Sequence, residues 1–158
     1  MNKPEILIVE DDKAIKNLIS TTLEMDGYHF HTAENGAQAI LAAATQQPAI
    51  MLLDLGLPDM DGTDVIRKVR TWSQMPIIVI SARNEDRDKI EALDAGADDY
   101  LTKPFSVEEL RARLRATLRR DVYKRQDLEE CSGGRAGRSR RLRFLARWRW
   151  RPSTSTAS

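Results

Sequence analysis

Cysteine, aromatic residues and long apolar runs are scarce in this sequence. There is one cysteine, Cys131, in 158 residues, which excludes an internal disulfide and a zinc site built from cysteines. No apolar run approaches the ~20 residues that cross a bilayer. The N-terminus, Met1-Asn2-Lys3-Pro4-Glu5, lacks the apolar stretch of a secretory signal. These absences predict a cytoplasmic protein.

Motifs for nucleotide binding and for hydrolytic catalysis are also missing. The sequence contains neither Gly-x₄-Gly-Lys-Ser/Thr nor Gly-x-Gly-x-x-Gly, so nucleotide binding has no support. It offers no Ser/His/Asp or Cys/His set. Its two histidines, His29 and His31, alternate along a predicted edge strand, where a solvated face explains both.

The charge of the chain is divided unevenly along its length. The formal net charge is +1, yet residues 1–120 carry 15 basic and 20 acidic side chains, a net −5. Residues 121–158 carry 10 basic and 4 acidic side chains, a net +6. The composition therefore predicts one acidic domain over residues 1–120 and a separate basic tail over 121–158.

The Arg-rich tail has two interpretations. Its arginines and two tryptophans, Trp148 and Trp150, fit a basic arm that binds nucleic acid. The absence of sustained hydrophobic periodicity favours instead a disordered or non-native segment, which is the interpretation we adopt. The 38 residues are too few for a winged-helix DNA-binding domain, which needs roughly 90–100 residues.

The body of the chain alternates short apolar runs with amphipathic stretches. This alternation predicts an α/β fold in which parallel strands are joined by right-handed crossovers and helices cover both faces. The predicted strands are 6–9, 29–33, 50–53, 77–80 and 99–101, and the predicted helices are 13–26, 36–46, 64–72, 85–95 and 107–120.

Polar side chains follow four of these strands. Strand one ends in Glu10-Asp11-Asp12, strand three in Asp54, strand four in Ser81-Ala82, and strand five leads into Lys103. Because the carboxyl ends of parallel strands meet at one edge of the sheet, we expect these groups to lie together. Clustered carboxylates attract a cation, and oxygen-only ligands favour Mg²⁺.

An acidic residue after a strand also makes a good helix N-cap, and Asp12 fits that simpler role. Asp54 precedes a loop rather than a helix, so the capping explanation is weaker for it. With no other nucleophile in the pattern, the sequence indicates an aspartate that accepts a phosphoryl group. Mg²⁺ and Lys103 would neutralise the charge on the oxygens of that group.

An aspartate-nucleophile phosphatase is the alternative enzyme class. Such an enzyme would need an Asp-x-Asp pattern at the end of strand one, but Asp11 and Asp12 are adjacent there.

The body resembles a response-regulator receiver domain of the OmpR/PhoB subfamily, and within it the potassium-uptake regulators of the KdpE group. The resemblance covers residues 4–120 and is carried by four blocks: Ile8-Val9-Glu10-Asp11-Asp12, Leu53-Asp54-Leu55-Gly56-Leu57-Pro58-Asp59-Met60-Asp61-Gly62, Ile80-Ser81-Ala82 and Gly96-Ala97-Asp98-Asp99-Tyr100-Leu101-Thr102-Lys103-Pro104-Phe105. It implies a flavodoxin-like (CheY-like) doubly wound sheet of five parallel strands in the order 2-1-3-4-5, with five helices.

The resemblance also implies roles for individual residues. Asp54 would be the phosphoacceptor, and Mg²⁺ would be held by Asp11, Asp54 and the carbonyl of Gly56, with Glu10 acting through a metal-bound water. The phosphoryl group would meet Ser81, Ala82 and Lys103, and Tyr100 would move inward with the switch. Pro104 would follow a cis peptide bond. Arg83 would either tune dephosphorylation or be an ordinary loop arginine.

The implied partners are a KdpD-like sensor histidine kinase and a second copy of the chain. The dimer would use the face formed by helix four, strand five and helix five, with Lys89 opposite Glu109 and Asp94 opposite Arg113 across the interface. The opposing interpretation makes these four residues ordinary surface charges. Promoter DNA is expected as a partner only of a full-length relative. A stand-alone CheY-like receiver, acting by protein binding alone, is the alternative function.

Overall fold

The computed structural model describes residues 4–132 of the chain, and side chains over residues 4–120. The chain divides into two compact units, Met1–Asp121 and Val122–Ser158. The account below concerns the first unit and the backbone of the helix that extends to Ser132. No helix in this described part is long and apolar enough to cross a membrane.

Five strands alternate with five helices. The strands are β1 (Glu5–Val9), β2 (His29–Ala33), β3 (Ile50–Leu53), β4 (Ile77–Ser81) and β5 (Asp99–Thr102). The helices are α1 (Lys13–Met25), α2 (Gly36–Gln46), α3 (Gly62–Arg70), α4 (Asp86–Ala95) and α5 (Val107–Ser132). Every predicted element is therefore present, with shifts at its ends.

The largest shift is at the end of α5. The predicted end near residue 120 is wrong, because the helix continues to Ser132. Residues 121–132 contain neither glycine nor proline, and Gly133-Gly134 follow directly, so no helix-breaking residue interrupts the segment. The disordered or non-native tail stays a prediction, and residues 133–158 lie outside the described residues.

The five strands form one parallel sheet in the order β2-β1-β3-β4-β5. The expected doubly wound, CheY-like fold is confirmed. β1 lies between β2 and β3 and pairs with both in parallel register. The strand order reverses at β1, so the carboxyl ends of β1 and β3 border the crevice where such sheets place their ligands.

The apolar runs of the strands divide between two cores. Side chains alternate across a strand, so Leu7, Met51 and Ile77 belong to the core on the side of α2, α3 and α4. Ile6, Ile50 and Ile78 belong to the core on the side of α1 and α5. All six are fully buried, which explains why the runs are continuously apolar rather than alternating.

Arg70 joins the C-terminal end of α3 to the amino ends of β4 and β5. Its guanidinium donates to the carbonyls of Met75 (2.6 Å) and Gly96 (2.9 and 3.0 Å) and to the carboxylate of Asp98 (3.1 Å). Asp98 in turn accepts from the Ile77 amide at 2.9 Å. This network fixes β4 and β5 at the end remote from the polar strand ends.

Candidate functional site

Three carboxylates meet at the carboxyl ends of β1 and β3. Oxygens of Glu10, Asp11 and Asp54 lie within 4.8 Å of one another, and they form the one group with metal-ligand spacing in the part of the chain that the structure describes. Glu10 is 1% exposed and Asp54 is 8% exposed, whereas Asp11 is open to solvent. The fold thus brings together the acidic residues that the sequence predicted to converge.

Lys103 enters this cluster from the end of β5. Its Nζ lies 2.8 Å from Glu10 Oε2 and 3.2 Å from Asp54 Oδ2. The backbone N–H of Lys103 donates to the Ser81 carbonyl at 2.8 Å, so β4 helps to place the lysine. Three carboxylates against one ammonium leave an excess of negative charge that a divalent cation can offset.

The electrostatics follow from burial and from this pairing. Burial raises the pKa of Glu10 to about 7, and the nearby charge of Asp54 acts in the same direction. The hydrogen bond from Lys103 lowers this pKa but does not cancel the effect of burial. Burial alone would lower the pKa of Lys103, but its hydrogen bond to Glu10 and the charge of Asp54 raise it above the ordinary value. Lys103 therefore stays a cation, and a metal ion would favour the ionised form of Glu10.

Asp54 is held by both of its oxygens. Oδ2 accepts from Lys103, while Oδ1 accepts from the Gly56 amide at 3.2 Å. The carboxylate is therefore oriented and still reaches solvent. An oriented carboxylate beside a lysine is suited to nucleophilic attack on an electrophile that carries negative charge.

The donor set fits Mg²⁺. Mg²⁺ takes oxygen ligands about 2.0–2.1 Å away in octahedral geometry and keeps several waters. In the described residues the site offers carboxylate oxygens but no sulfur or imidazole. Asp11 and Asp54 would be direct ligands with the Gly56 carbonyl, and the exposure of Asp11 and Gly56 leaves room for water.

A polar network lies beside the carboxylates at the end of β4. Ser81, 1% exposed, accepts at Oγ from the Arg83 amide at 3.2 Å. The Tyr100 hydroxyl donates to the Arg83 carbonyl, and the Arg83 guanidinium donates to Asp61 Oδ2 at 2.9 Å. The hydroxyls of Ser81 and Tyr100 are thus both tied to one loop residue.

Comparison with known proteins settles the family. A sequence model described as the response regulator receiver domain matches residues 6–115, most of the chain's first unit. This chain belongs to the response regulator receiver domain family. The carboxylates, Ser81 and Lys103 therefore lie in a receiver domain.

Curated relatives of this receiver domain include KdpE proteins. The KDP operon transcriptional regulatory protein KdpE of Escherichia coli (strain K12) is 56% identical over 115 residues, which are 73% of this chain and 51% of that protein. KdpE of Staphylococcus aureus is 51% identical over 115 residues, 73% of this chain and 50% of that protein. The chain spans about half the length of the curated relatives it matches.

Solved receiver domains share the fold at lower identity. The BeF3-activated N-terminal receiver domain of Klebsiella pneumoniae RstA aligns with a TM-score of 0.70 and 34% identity over 73% of this chain and 98% of that one. The receiver domain of the Pseudomonas aeruginosa sensor histidine kinase PA1611, solved with a magnesium ion in its active-site cleft, aligns with a TM-score of 0.69 and 34% identity over 73% and 98% of the two chains.

The remaining residues predicted for the receiver site lie around the cluster. Ala82 follows Ser81 at the surface, and the peptide bond between Lys103 and Pro104 is cis. Asp12 caps α1, because its side chain accepts from the amides of Ala14 and Ile15. Asp12 thus has the simpler role considered for it.

The predicted dimer face is accessible. Asp94, Glu109 and Arg113 are exposed and Lys89 is half-buried. Within the chain, Arg113 already donates to both carboxylate oxygens of Asp99, at 3.1 and 3.2 Å. A pair with Asp94 of a second copy would have to compete with Asp99. Both intersubunit pairs stay predictions.

The loop after β3 contains two further aspartates, Asp59 and Asp61, for which the sequence predicts no role. Asp61 caps α3, since it accepts from the amide and hydroxyl of Thr63 at 3.0 and 2.9 Å. Burial would raise the pKa of Asp61, but the hydrogen bonds from Thr63 and Arg83 lower it below the ordinary value. The sequence Asp61-Gly62-Thr63 could have indicated this cap. Asp59 instead accepts from residues of α2, and no local pattern signals that contact.

Proposed function

We propose that this chain is the receiver part of a KdpE-type two-component response regulator, and that Asp54 accepts a phosphoryl group with Mg²⁺ from a sensor histidine kinase. The observation that supports the proposal is the placement of Asp54 between Lys103 and two further carboxylates at the crevice of the sheet. A structural ion pair between Lys103 and Glu10 alone would not need Asp11 and Asp54 beside it.

In the proposed transfer, one carboxylate oxygen of Asp54 attacks the phosphorus of a kinase phosphohistidine. The P–N bond breaks as the P–O bond forms, and the leaving imidazole nitrogen keeps the electron pair. Mg²⁺, when bound, would neutralise charge on the phosphoryl oxygens. Lys103, already within 3.2 Å of Asp54, would hold another of those oxygens.

The same geometry supports a switch. Once Asp54 carries a phosphoryl group, the Ser81 hydroxyl would turn from the Arg83 amide to a phosphoryl oxygen. Tyr100, whose pKa is raised by burial, keeps a protonated hydroxyl and would leave the Arg83 carbonyl as it moves inward. Phosphorylation would thereby bias the loop after β4 and the α4–β5–α5 face toward a second conformation.

The proposed output is a homodimer through the α4–β5–α5 face. By similarity to KdpE, the kinase partner would be KdpD-like and the process would be transcription of potassium-uptake genes. Since the chain spans about half of its curated relatives, promoter binding is proposed only for a full-length protein. Within that proposal the chain is a phosphorylation-dependent switch rather than a turnover enzyme.

Incubation with acetyl phosphate and Mg²⁺, followed by intact-protein mass spectrometry, tests the phosphoacceptor. We expect the mass of one added phosphoryl group on the wild-type chain. Asp54→Asn should remove the added mass. Labelling should also disappear when Mg²⁺ is chelated.

Asp64→Asn is the matched control for the phosphoacceptor test. It removes the same charge from an exposed residue in the first turn of α3, so its labelling should match that of the wild type. Continued labelling of Asp54→Asn, or no labelling of the wild type, would contradict the proposed function.

A further inference from the structure

The segment 54–61 joins β3 to α3 and carries the Gly56 carbonyl. A backbone hydrogen bond joins the two ends of the segment: the Gly62 amide donates to the Leu55 carbonyl at 2.9 Å. A Cβ on Gly62 would come within 2.7 Å of the Asp54 carbonyl and the Leu55 Cα. Gly56 also bridges to Asp61 across the loop. The start and the end of the segment are therefore held together.

The tip of the segment is attached to a different element. The Asp59 carboxylate accepts from the Gly36 amide at 2.7 Å and from the Ala37 amide at 3.0 Å, one with each oxygen. These amides belong to the first turn of α2, whose N–H groups have no partner within the helix. Met60 packs so closely on Gly36 that a Cβ there would overlap its side chain. Asp59 and Met60 thus tie the loop to α2.

The contacts of Asp59 and Met60 with α2 matter for the metal site because the segment contains a glycine, Gly56. Its φ lies outside the left-handed region and a Cβ would meet only Asp54 Oδ1, at 4.0 Å, so neither backbone conformation nor space requires glycine. A glycine nevertheless gives the segment the largest backbone freedom of any residue. The bond of the Gly56 amide to Asp54 and the bridge to Asp61 hold one side of this residue, so the direction of its carbonyl also depends on how the rest of the loop is held.

We propose that Asp59 is a positioning residue for the metal site: by bonding to the start of α2 it holds in place the loop that carries the Gly56 carbonyl. The inference rests on the proposed function, because it assumes that Mg²⁺ binds beside Asp54. It assigns a purpose to a carboxylate that contacts neither the metal ligands nor the Lys103 pair.

Calorimetric titration of the full chain with Mg²⁺ tests the proposal. Asp59→Asn keeps the shape of the side chain but turns an N–H donor toward one of the two α2 amides. The Mg²⁺ dissociation constant should rise about tenfold, the lower end of the loss seen when groups that support metal ligands are removed. At saturating Mg²⁺ the rate of labelling by acetyl phosphate should return to the wild-type value, because Asp59 touches no reacting atom.

Asn35→Ala is the matched control. Asn35 caps the same helix, accepting from the Gln38 amide at 2.8 Å, but it does not contact the 54–61 segment through that bond. Both variants should destabilise the fold, and only Asp59→Asn should weaken Mg²⁺ binding. Wild-type Mg²⁺ affinity in Asp59→Asn, or an equal loss in Asn35→Ala, would overturn the proposal.

A second substitution restores the stiffness of the loop directly. Gly56→Ala keeps the carbonyl and restricts the backbone, so adding it to Asp59→Asn should recover most of the lost Mg²⁺ affinity. Met60→Ala, which removes the other contact at the tip, should weaken Mg²⁺ binding in the same direction. If adding Gly56→Ala does not recover Mg²⁺ affinity, the freedom of the loop is not the cause of the loss and the proposal is wrong.

Failure of the proposed function would appear differently, as a wild-type chain that neither binds Mg²⁺ nor accepts a phosphoryl group.

Discussion

The guanidinium of Arg83 donates to the carboxylate of Asp61 at 2.9 Å, so the loop after β4 is joined to the N-cap of α3. Both side chains are partly exposed, at 42% and 35%. Arg83 also contacts Ser81 and Tyr100 through its backbone. This ion pair therefore links the loop that follows Asp54 to the two hydroxyls proposed for the switch.

Asp61 should contribute more to stability than its partner does. Asp61→Ala removes the cap of α3 and should lower the free energy of unfolding by about 1–2 kcal/mol. Arg83→Gln removes only an exposed ion pair and should cost less than about 1 kcal/mol. Urea denaturation of both variants measures the difference. Equal losses would mean that the ion pair, not the cap, carries the contribution of Asp61.

Mg²⁺ should stabilise the folded chain through the carboxylate cluster. At a free concentration tenfold above its dissociation constant it should raise the free energy of unfolding by about 1.4 kcal/mol, and chelation should reverse the gain. Asp11→Asn should remove most of this gain, since Asp11 is a proposed direct ligand. Asp12→Asn, a neighbouring change that keeps a good cap, should retain it. An unchanged Mg²⁺ effect in Asp11→Asn would exclude Asp11 as a ligand.

The stabilising effect of Asp59 should depend on pH. Hydrogen bonds from the Gly36 and Ala37 amides lower the pKa of Asp59 below the ordinary value for aspartate. A carboxyl group with a lower pKa in the folded than in the unfolded state stabilises the fold above the unfolded value, about 3.9. That contribution is lost as the pH falls through the lower, folded value.

Wild type should therefore be more stable than Asp59→Asn between about pH 5 and 7, and the difference should shrink below about pH 4. Denaturant titrations in Mg²⁺-free buffer across this range provide the measurement. A difference that persists unchanged at the acidic end would show that the charge of Asp59 is not what stabilises α2.

The dimer face can be tested by exchanging charges. With beryllofluoride and Mg²⁺ we expect the wild-type chain to dimerise in sedimentation velocity. Lys89→Glu and Glu109→Lys should each weaken that dimer, because like charges would meet across the interface. The double variant should restore it. A double variant as weak as either single change would reject the pairing of Lys89 with Glu109.

Much of this molecule follows from local pattern. The apolar runs ending in Val9 and Leu53 specify buried parallel strands, and strand ends in such sheets share one edge. The sequence alone therefore determined the fold class, the convergence of Glu10, Asp11, Asp54 and Lys103, and the capping role of Asp12. These inferences succeed because hydrophobic periodicity and strand direction are properties of short segments.

Other features depend on residues far apart in the chain. The contact of Asp59 with Gly36 and the network of Arg70 exist only after the helices pack, and no spacing in the sequence encodes them. The pKa of Glu10 is likewise raised by burial, which the folded environment alone provides. The sequence determined which chemical groups reach the edge of the sheet. Only the tertiary structure decided how they are held there, because hydrogen bonds and desolvation depend on neighbours that the fold brings together.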